Sequence, residues 1–202
     1  MITQPRFVRE NLNPTNLADV FVKTANDNNE KVAVIFNDQE LTFGELKQKS
    51  NIVAYNVNKI VKCNKRPIAV YIEKCPEAVI ADIGILLSGN FYMNLDVNNP
   101  KERIAAILAL IQPEIIITNQ KSRDKIAGLH EKVIVIEDLL EDDIQISDDD
   151  IFEYRKDLID TDPSCIINTS GSTGTPKGVV LNHRSFFDFT LWAQETFVFD
   201  SD

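Results

Sequence analysis

The stretch Pro67-Ile-Ala-Val-Tyr-Ile-Glu-Lys-Cys-Pro-Glu-Ala-Val-Ile-Ala-Asp-Ile-Gly-Ile-Leu-Leu-Ser-Gly-Asn-Phe-Tyr-Met-Asn-Leu-Asp96 decides the fold. Its first part, residues 67–72, is an apolar run of the kind that forms a strand buried on both faces. Residues 76–87 then read as a helix and residues 91–95 as a second short strand. Gly89 stands just past the helix, where a left-handed residue commonly ends one. Strand, helix and strand in this order make a βαβ unit with parallel strands.

Outward from this unit the alternation continues. Downstream, Pro100 is a plausible N1 proline of a helix ending at residue 111, residues 114–118 read as a strand, and residues 132–136 add one more. Upstream, residues 16–28 read as a helix with Leu17, Val20, Phe21 and Thr24 on one side, and residues 32–36 as a strand. Residues 42–60 form a further helix, whose start has the capping-box spacing of Thr42 and Glu45. The expected class is α/β, with a layered, largely parallel sheet and helices on both faces. Near the end, residues 164–167 and 179–181 read as short buried strands. Asn182 then caps a helix with Phe186, Phe189, Trp192 and Ala193 on one side, a stripe expected in the core.

Residues 137–150 break the pattern. Glu137, Asp138, Glu141, Asp142, Asp143, Asp148, Asp149 and Asp150 occur there without a basic residue, which predicts a solvated surface loop. The glycine and terminal glutamate of a calcium loop are missing.

The composition suits one globular domain: 202 residues, 44% hydrophobic and 26% charged. A net charge of -10 argues against nucleic acid or an anionic membrane as partner, because either needs a basic face. Three widely spaced cysteines, Cys63, Cys75 and Cys165, suggest neither a disulfide framework nor a metal site, and a reducing cytoplasm fits them best. The N-terminal residues Met1-Ile-Thr-Gln-Pro-Arg6 lack an apolar signal core, and the apolar run at residues 78–87 is interrupted by Asp82, so no membrane span is expected.

The chemistry concentrates in Thr169-Ser-Gly-Ser-Thr-Gly-Thr-Pro-Lys-Gly178. Gly171, Gly174 and Gly178 can take positive φ and turn successive N–H groups toward one anion. Ser170, Ser172, Thr173 and Thr175 add hydroxyl donors, and Lys177 adds a full positive charge. Together they have the character of a polyphosphate cradle. A flexible Ser/Gly linker would need neither Pro176 nor Lys177, nor two flanking strands. A Walker A loop has glycine before its lysine and Ser or Thr after it, where this chain has Pro176 and Gly178.

The loop resembles the signature of the acyl-adenylate-forming (AMP-dependent synthetase/ligase) superfamily. Leu41-Thr-Phe-Gly-Glu-Leu46 is similar to that family's Leu-Thr-Tyr-x-Glu-Leu. Leu86-Leu-Ser-Gly-Asn-Phe-Tyr-Met-Asn-Leu-Asp96, with Pro100 and Arg103, resembles its Leu-Lys-Ala-Gly-x-Ala-Tyr-Val-Pro-Ile-Asp motif. The match is partial: Leu87, Ser88, Phe91, Met93 and Asn94 depart from it, and Asn168 stands where the family usually has an aromatic residue. His183 follows the signature where many members also have histidine, and is read as structural.

The resemblance implies an ATP- and Mg2+-dependent ligase that activates a carboxylate as an acyl-adenylate, releases pyrophosphate and passes the acyl group to a thiol. It implies nucleotide contacts from Thr169, Ser170, Gly171, Ser172, Thr173, Gly174 and Lys177. The segment Phe189-Thr-Leu-Trp-Ala-Gln-Glu195 looks most like the amino-acid-activating branch: D-alanine:D-alanyl carrier protein ligases first, peptide-synthetase adenylation domains next. The implied partners are an amino acid and the phosphopantetheine thiol of a carrier protein. Residues 1–202 are then expected to be a single incomplete adenylation domain, inactive alone, that stops before the acyl pocket and the C-terminal lid domain with the family's catalytic lysine. Phe199-Asp200 lies too close to Gly178 to be the family's pocket-opening Phe-Asp motif. A self-sufficient nucleotide-binding or interaction module and a piece of an acyl-CoA synthetase are the alternatives.

Overall fold

The computed structural model describes residues 15–141, 144–170 and 176–197. The signature positions Gly171, Ser172, Thr173, Gly174 and Thr175, the acidic pair Asp142 and Asp143, and Phe199-Asp200 lie outside the described residues, as do the first fourteen.

The elements in order are α1 (Leu17–Asp27), β1 (Val32–Phe36), β2 (Gln39–Thr42), α2 (Phe43–Val61), β3 (Pro67–Tyr71), α3 (Pro76–Leu87), β4 (Phe91–Asn94) and α4 (Lys101–Ile111). They continue with β5 (Ile116–Thr118), α5 (Arg123–Ile126), β6 (Val133–Val135), α6 (Ile136–Leu140), α7 (Asp148–Phe152), β7 (Pro163–Ser170), β8 (Pro176–Asn182) and α8 (His183–Thr196). Six strands make one sheet in the order β6-β5-β3-β4-β7-β8. All neighbours are parallel except β7 and β8, which pair antiparallel.

The apolar run of β3 shows why the sheet needs helices on both sides. Ile68, Val70 and Ile72 point into a core shared with Leu46, Val53 and Val57 of α2 and Ile80, Ala81 and Ile85 of α3. Ala69 and Tyr71 point the other way, against Ile104, Ile107 and Leu108 of α4 and Ile126 of α5. Burial of each such aliphatic side chain is worth about 1.5–3 kcal/mol, so alternate residues of one strand stabilise two helical layers. From β3 the chain moves to β4 on one side, then crosses back to β5 on the other. The helices that make these moves, α3 and α4, therefore lie on opposite faces. In such a sheet the crevice beyond the carboxyl ends of the strands is the usual place for a ligand.

Local signals act as their chemistry requires. Thr42 and Glu45 form both halves of the capping box on α2. Gly89 has φ of 77° and ends α3, and a Cβ there would sit 2.3 Å from the Tyr154 carbonyl oxygen.

Four expectations change. The strand at residues 32–36 is outside the main sheet, in an antiparallel two-stranded ribbon with β2. Pro100 is the N-cap of α4, with extended ψ of 148°, not its first helical residue. The acidic segment holds the short helices α6 and α7, and Ser147 with Asp150 forms a capping box on the latter. Asp148 does not face water alone: Lys47 Nζ lies 2.9 Å away, and Asn51 donates at 3.3 Å. The stripe of α8 is only partly core: Phe189 and Trp192 are exposed, Phe186 is half-buried and Ala193 is buried.

Candidate functional site

The nucleotide signature begins and ends in strands. Cys165 and Ile166 are buried in β7, which pairs parallel to β4 through Tyr92 with Cys165 and Met93 with Ile166. This fixes β7 in the sheet, and the antiparallel ladder to β8 places Thr169 opposite Lys177 and Ser170 opposite Pro176. Thr169 Oγ1 donates to the Lys177 carbonyl oxygen at 3.4 Å. The Lys177 side chain is exposed, so its ammonium is available to an anion. Of the residues expected at the nucleotide, Thr169, Ser170 and Lys177 are thus brought together at the mouth of one hairpin, while Gly171, Ser172, Thr173 and Gly174 lie outside the described residues.

Gly178 differs from its expected role. It does not adopt positive φ; a Cβ there would meet Ile111 Cδ1 at 2.8 Å and Ile166 Cγ2 at 3.1 Å. Glycine at this position lets α4 press against β8.

Beside the signature, a cavity of about 560 Å³ opens at the ends of β4 and β7. Its walls include Tyr92, Asn94, Asp96, Arg103, Asn168 and Phe186. Arg103 Nε and both polar atoms of the Asn168 side chain are out of water and have no hydrogen-bond partner among the described residues. Buried polar groups of this kind call for a partner.

Behind the cavity wall, Asn94 Nδ2 donates to Asp82 Oδ2 at 2.9 Å, whereas Asp82 Oδ1 is buried without a partner. Burial pushes the Asp82 carboxyl up to about 7, and the Asn94 hydrogen bond offsets only part of that. Burial also raises the Tyr92 phenol, helped by the charge of Asp82 and by Cys165, its partner across the strand ladder. Burial is likewise the main reason the Cys165 thiol is raised. Sequence reading missed this group, although a carboxylate inside the apolar run of α3 was its visible signal.

His183 is 1% exposed, and its Nδ1 accepts the Leu17 backbone N–H at 3.1 Å. That fixes the proton of the neutral ring on Nε2, which has no partner among the described residues. Burial lowers the His183 pKa, and Asp162, Asp19 and Asp160 oppose this with smaller effects. The ring therefore anchors α1 to α8 and is remote from solvent chemistry. All three cysteines are free thiols. Among the described residues no cluster of His, Cys, Asp and Glu suits a metal ion, and no helix is long and apolar enough to cross a membrane.

The polyketide synthase PksN of Bacillus subtilis (strain 168) is 33% identical over 187 residues, which cover 88% of this chain and 3% of that protein. The D-alanine--D-alanyl carrier protein ligase of Staphylococcus haemolyticus (strain JCSC1435) is 31% identical over 179 residues, 88% of this chain and 34% of the ligase. The chain thus spans about a third of the ligase's length and a small share of the synthase's. Among solved structures, the N-terminal subdomain of Klebsiella oxytoca NpsA in complex with 3-hydroxyanthranilyl-AMSN matches with a TM-score of 0.70 at 23% identity, covering 85% of this chain and 41% of that one. The AMPPNP-bound form of the nonribosomal peptide synthetase FmoA3 matches with a TM-score of 0.76 at 24% identity, covering 91% and 19%. The fold is accordingly the one those adenylation subdomains share. With residues 21–202 matching the family model described as AMP-binding enzyme, over the strands that carry the signature, the chain belongs to the AMP-binding enzyme family.

Proposed function

We propose that this chain forms the phosphate side of a carboxylate-adenylating site in a ligase that activates an amino acid. The observation that carries the reading is the placement of Thr169 and Lys177 opposite each other at the mouth of the β7–β8 hairpin. A hydroxyl and an ammonium of the signature thus stand where its loop leaves and re-enters the sheet. The family membership of the chain supports the same assignment.

In this reading the substrate carboxylate attacks the α-phosphate of ATP, forming an aminoacyl-adenylate and releasing pyrophosphate. Such a transfer needs alignment and charge neutralisation more than covalent help. Lys177 neutralises the departing phosphates, and Thr169, Ser170, Ser172 and Thr173 with the loop amides orient them. Magnesium bound to the nucleotide would supply further neutralisation of the phosphates beside Lys177. The phosphopantetheine thiol of a carrier protein then attacks the acyl carbon, loses its proton and forms a thioester, and the acyl–phosphate bond breaks to release AMP. D-alanine is the first candidate acid and an L-amino acid of a peptide synthetase the second; relatives of both kinds match at comparable identity.

The test is ATP–pyrophosphate exchange by the full-length product of the natural gene, with D-alanine, L-amino acids and fatty acids in parallel. Exchange with D-alanine alone establishes the reaction and its substrate. Exchange with an L-amino acid moves the assignment to the peptide-synthetase branch, and exchange only with a fatty acid moves it to the acyl-CoA synthetases. Lys177→Ala is expected to lower the rate by about 10- to 100-fold, the worth of one charge-assisted hydrogen bond, without unfolding the protein. A folded full-length protein that exchanges with no acid refutes the adenylation reading.

A further inference from the structure

Strands β4 and β7 are partners for only part of their length. They pair at Tyr92 with Cys165 and at Met93 with Ile166. Beyond those residues β4 stays with β3, through Asn94 and Val70, while β7 stays with β8 as far as Ser170. The two strands therefore part at their carboxyl ends, and the cavity of about 560 Å³ occupies the gap. A space of that size takes a small organic molecule.

Unpaired polar atoms gather at this gap. Of the eight buried side-chain atoms without a hydrogen-bond partner among the described residues, Arg103 Nε, Asn168 Nδ2 and Asn168 Oδ1 belong to residues of its wall. A fourth, Asp82 Oδ1, stands behind Asn94, which is in the wall too. Each such atom costs the fold stability. Four of them beside one cavity mark a place where the sequence serves something other than folding.

The wall also defines the chemistry of an occupant. Arg103 is a permanent cation, and its side chain forms no ion pair among the described residues. The carboxylate of the wall, Asp96, is engaged in its own turn: its Oδ1 accepts the Asn98 backbone N–H at 2.9 Å and Asn98 Nδ2 at 3.1 Å. The unmatched guanidinium calls for an anion. Asn168 offers one donor group and one acceptor, so the anion that satisfies it carries an O–H or N–H beside its charge. Phe186 and Ile107 add apolar surface for a short carbon chain. Along β7, Asn168 shares the face of Ile166, which packs with Ile104 and Ile107 of α4, whereas Thr169 falls on the other face. The gap is thus distinct from the phosphate contacts.

We propose that the gap between β4 and β7 is a second binding site, for a small carboxylate that bears a hydroxyl or amino group on its α-carbon. The carboxylate meets Arg103 and Asn168 Nδ2, and the α-substituent donates to Asn168 Oδ1. No nucleotide takes part, so the inference stands or falls apart from pyrophosphate exchange.

The test is calorimetric titration of the full-length product of the natural gene, without ATP or magnesium, using lactate and alanine as both enantiomers, acetate and inorganic phosphate. Lactate or alanine is expected to bind once per chain with a Kd below about 1 mM, and acetate several-fold more weakly for want of the α-donor. Lactate against alanine tells a hydroxy acid from an amino acid. Arg103→Gln and Asn168→Leu should each weaken binding by about tenfold or more. Asn168→Leu keeps the outline of asparagine and removes two unpaired atoms, so its urea midpoint should equal or exceed that of wild type. A folded Asn168→Leu protein with a lower midpoint overturns the proposal, because the amide would then serve the fold. So do tighter binding of phosphate than of any carboxylate, absence of binding by all four compounds, and binding that both variants leave unchanged, which would put the ligand elsewhere.

Discussion

A histidine that accepts a backbone N–H through Nδ1 and is otherwise walled off is a different object from a histidine in a crevice. His183 is of the first kind, so its pH behaviour is a matter of stability. Burial holds its pKa below the ordinary value of 6.5. The unfolded chain therefore takes up the proton first as pH falls through about 6.5, and acid destabilises the fold until the folded-state value is passed. His183→Gln keeps an acceptor in reach but cannot titrate, so its urea midpoint should fall less than that of wild type between pH 7.5 and 5.5. Asp82 has the opposite sign. Its carboxyl, raised to about 7 in the fold from 3.8, costs stability progressively as pH rises from about 4 and fully above about 7. Asp82→Asn should stabilise the protein by about 1–3 kcal/mol at pH 8, with the gain vanishing near pH 4; denaturation at the two pH values checks it. The structural role of His183 could be inferred from the sequence, because the residue opens a helix behind a capping asparagine. The pairing of Asp82 with Asn94 could not, since it depends on how α3 crosses β4.

Among the elements, glycine shows how tightly helices meet. A Cβ on Gly84 in α3 would lie 2.6 Å from Val53 Cγ1 and 3.1 Å from the Ser50 carbonyl oxygen of α2. Gly84→Ala gains up to about 1 kcal/mol in helix propensity, but overpacking of about 1–3 kcal/mol outweighs it. A net destabilisation of about 1 kcal/mol or more is expected, read as a lower urea midpoint at unchanged slope. The elements that sequence reading placed well are those with a long, consistent local signal. α3 begins and ends where expected, and the α2 capping box forms as its spacing requires. The misplaced ones lack such a signal. β2 is four residues, mostly polar, and its pairing with β1 depends on a turn in which Asn37 takes φ of 54°. In the acidic segment, α7 is capped by Ser147 and Asp150, a pairing hidden among many carboxylates. The stripe on α8 has the right periodicity for burial, and only the packing of the folded chain shows that Phe189 and Trp192 face outward while Ala193 is buried. Around the signature, the flanking strands were evident and the cavity was not, because its walls come from β4, α4, β7 and α8 together.

On the scale of the whole molecule, the ATP affinity of the proposed site follows from what the signature alone can contribute. Three charge-assisted hydrogen bonds yield roughly 5 to 9 kcal/mol in gross terms, at about 1.5–3 kcal/mol each. Ordering ten residues costs about as much or more, at roughly 1–2 kcal/mol per residue. The 202-residue chain is therefore expected to bind ATP on the order of millimolar or more weakly, as calorimetry with Lys177→Ala as control would show. Submicromolar binding would instead favour a self-sufficient nucleotide module. The sheet topology described above also governs the order of assembly. β3 to β6 lie close together in sequence and pair among themselves through short crossovers, so this part can form early in synthesis. β7 joins it only by reaching back to β4, where Tyr92 meets Cys165 across a long excursion of chain. Loop closure over that distance makes the β7–β8 hairpin a late arrival on a finished platform. The segment that docks last carries both strands of the proposed phosphate site, so a folding error of the nascent chain is expected to cost that site before it disturbs the rest of the protein.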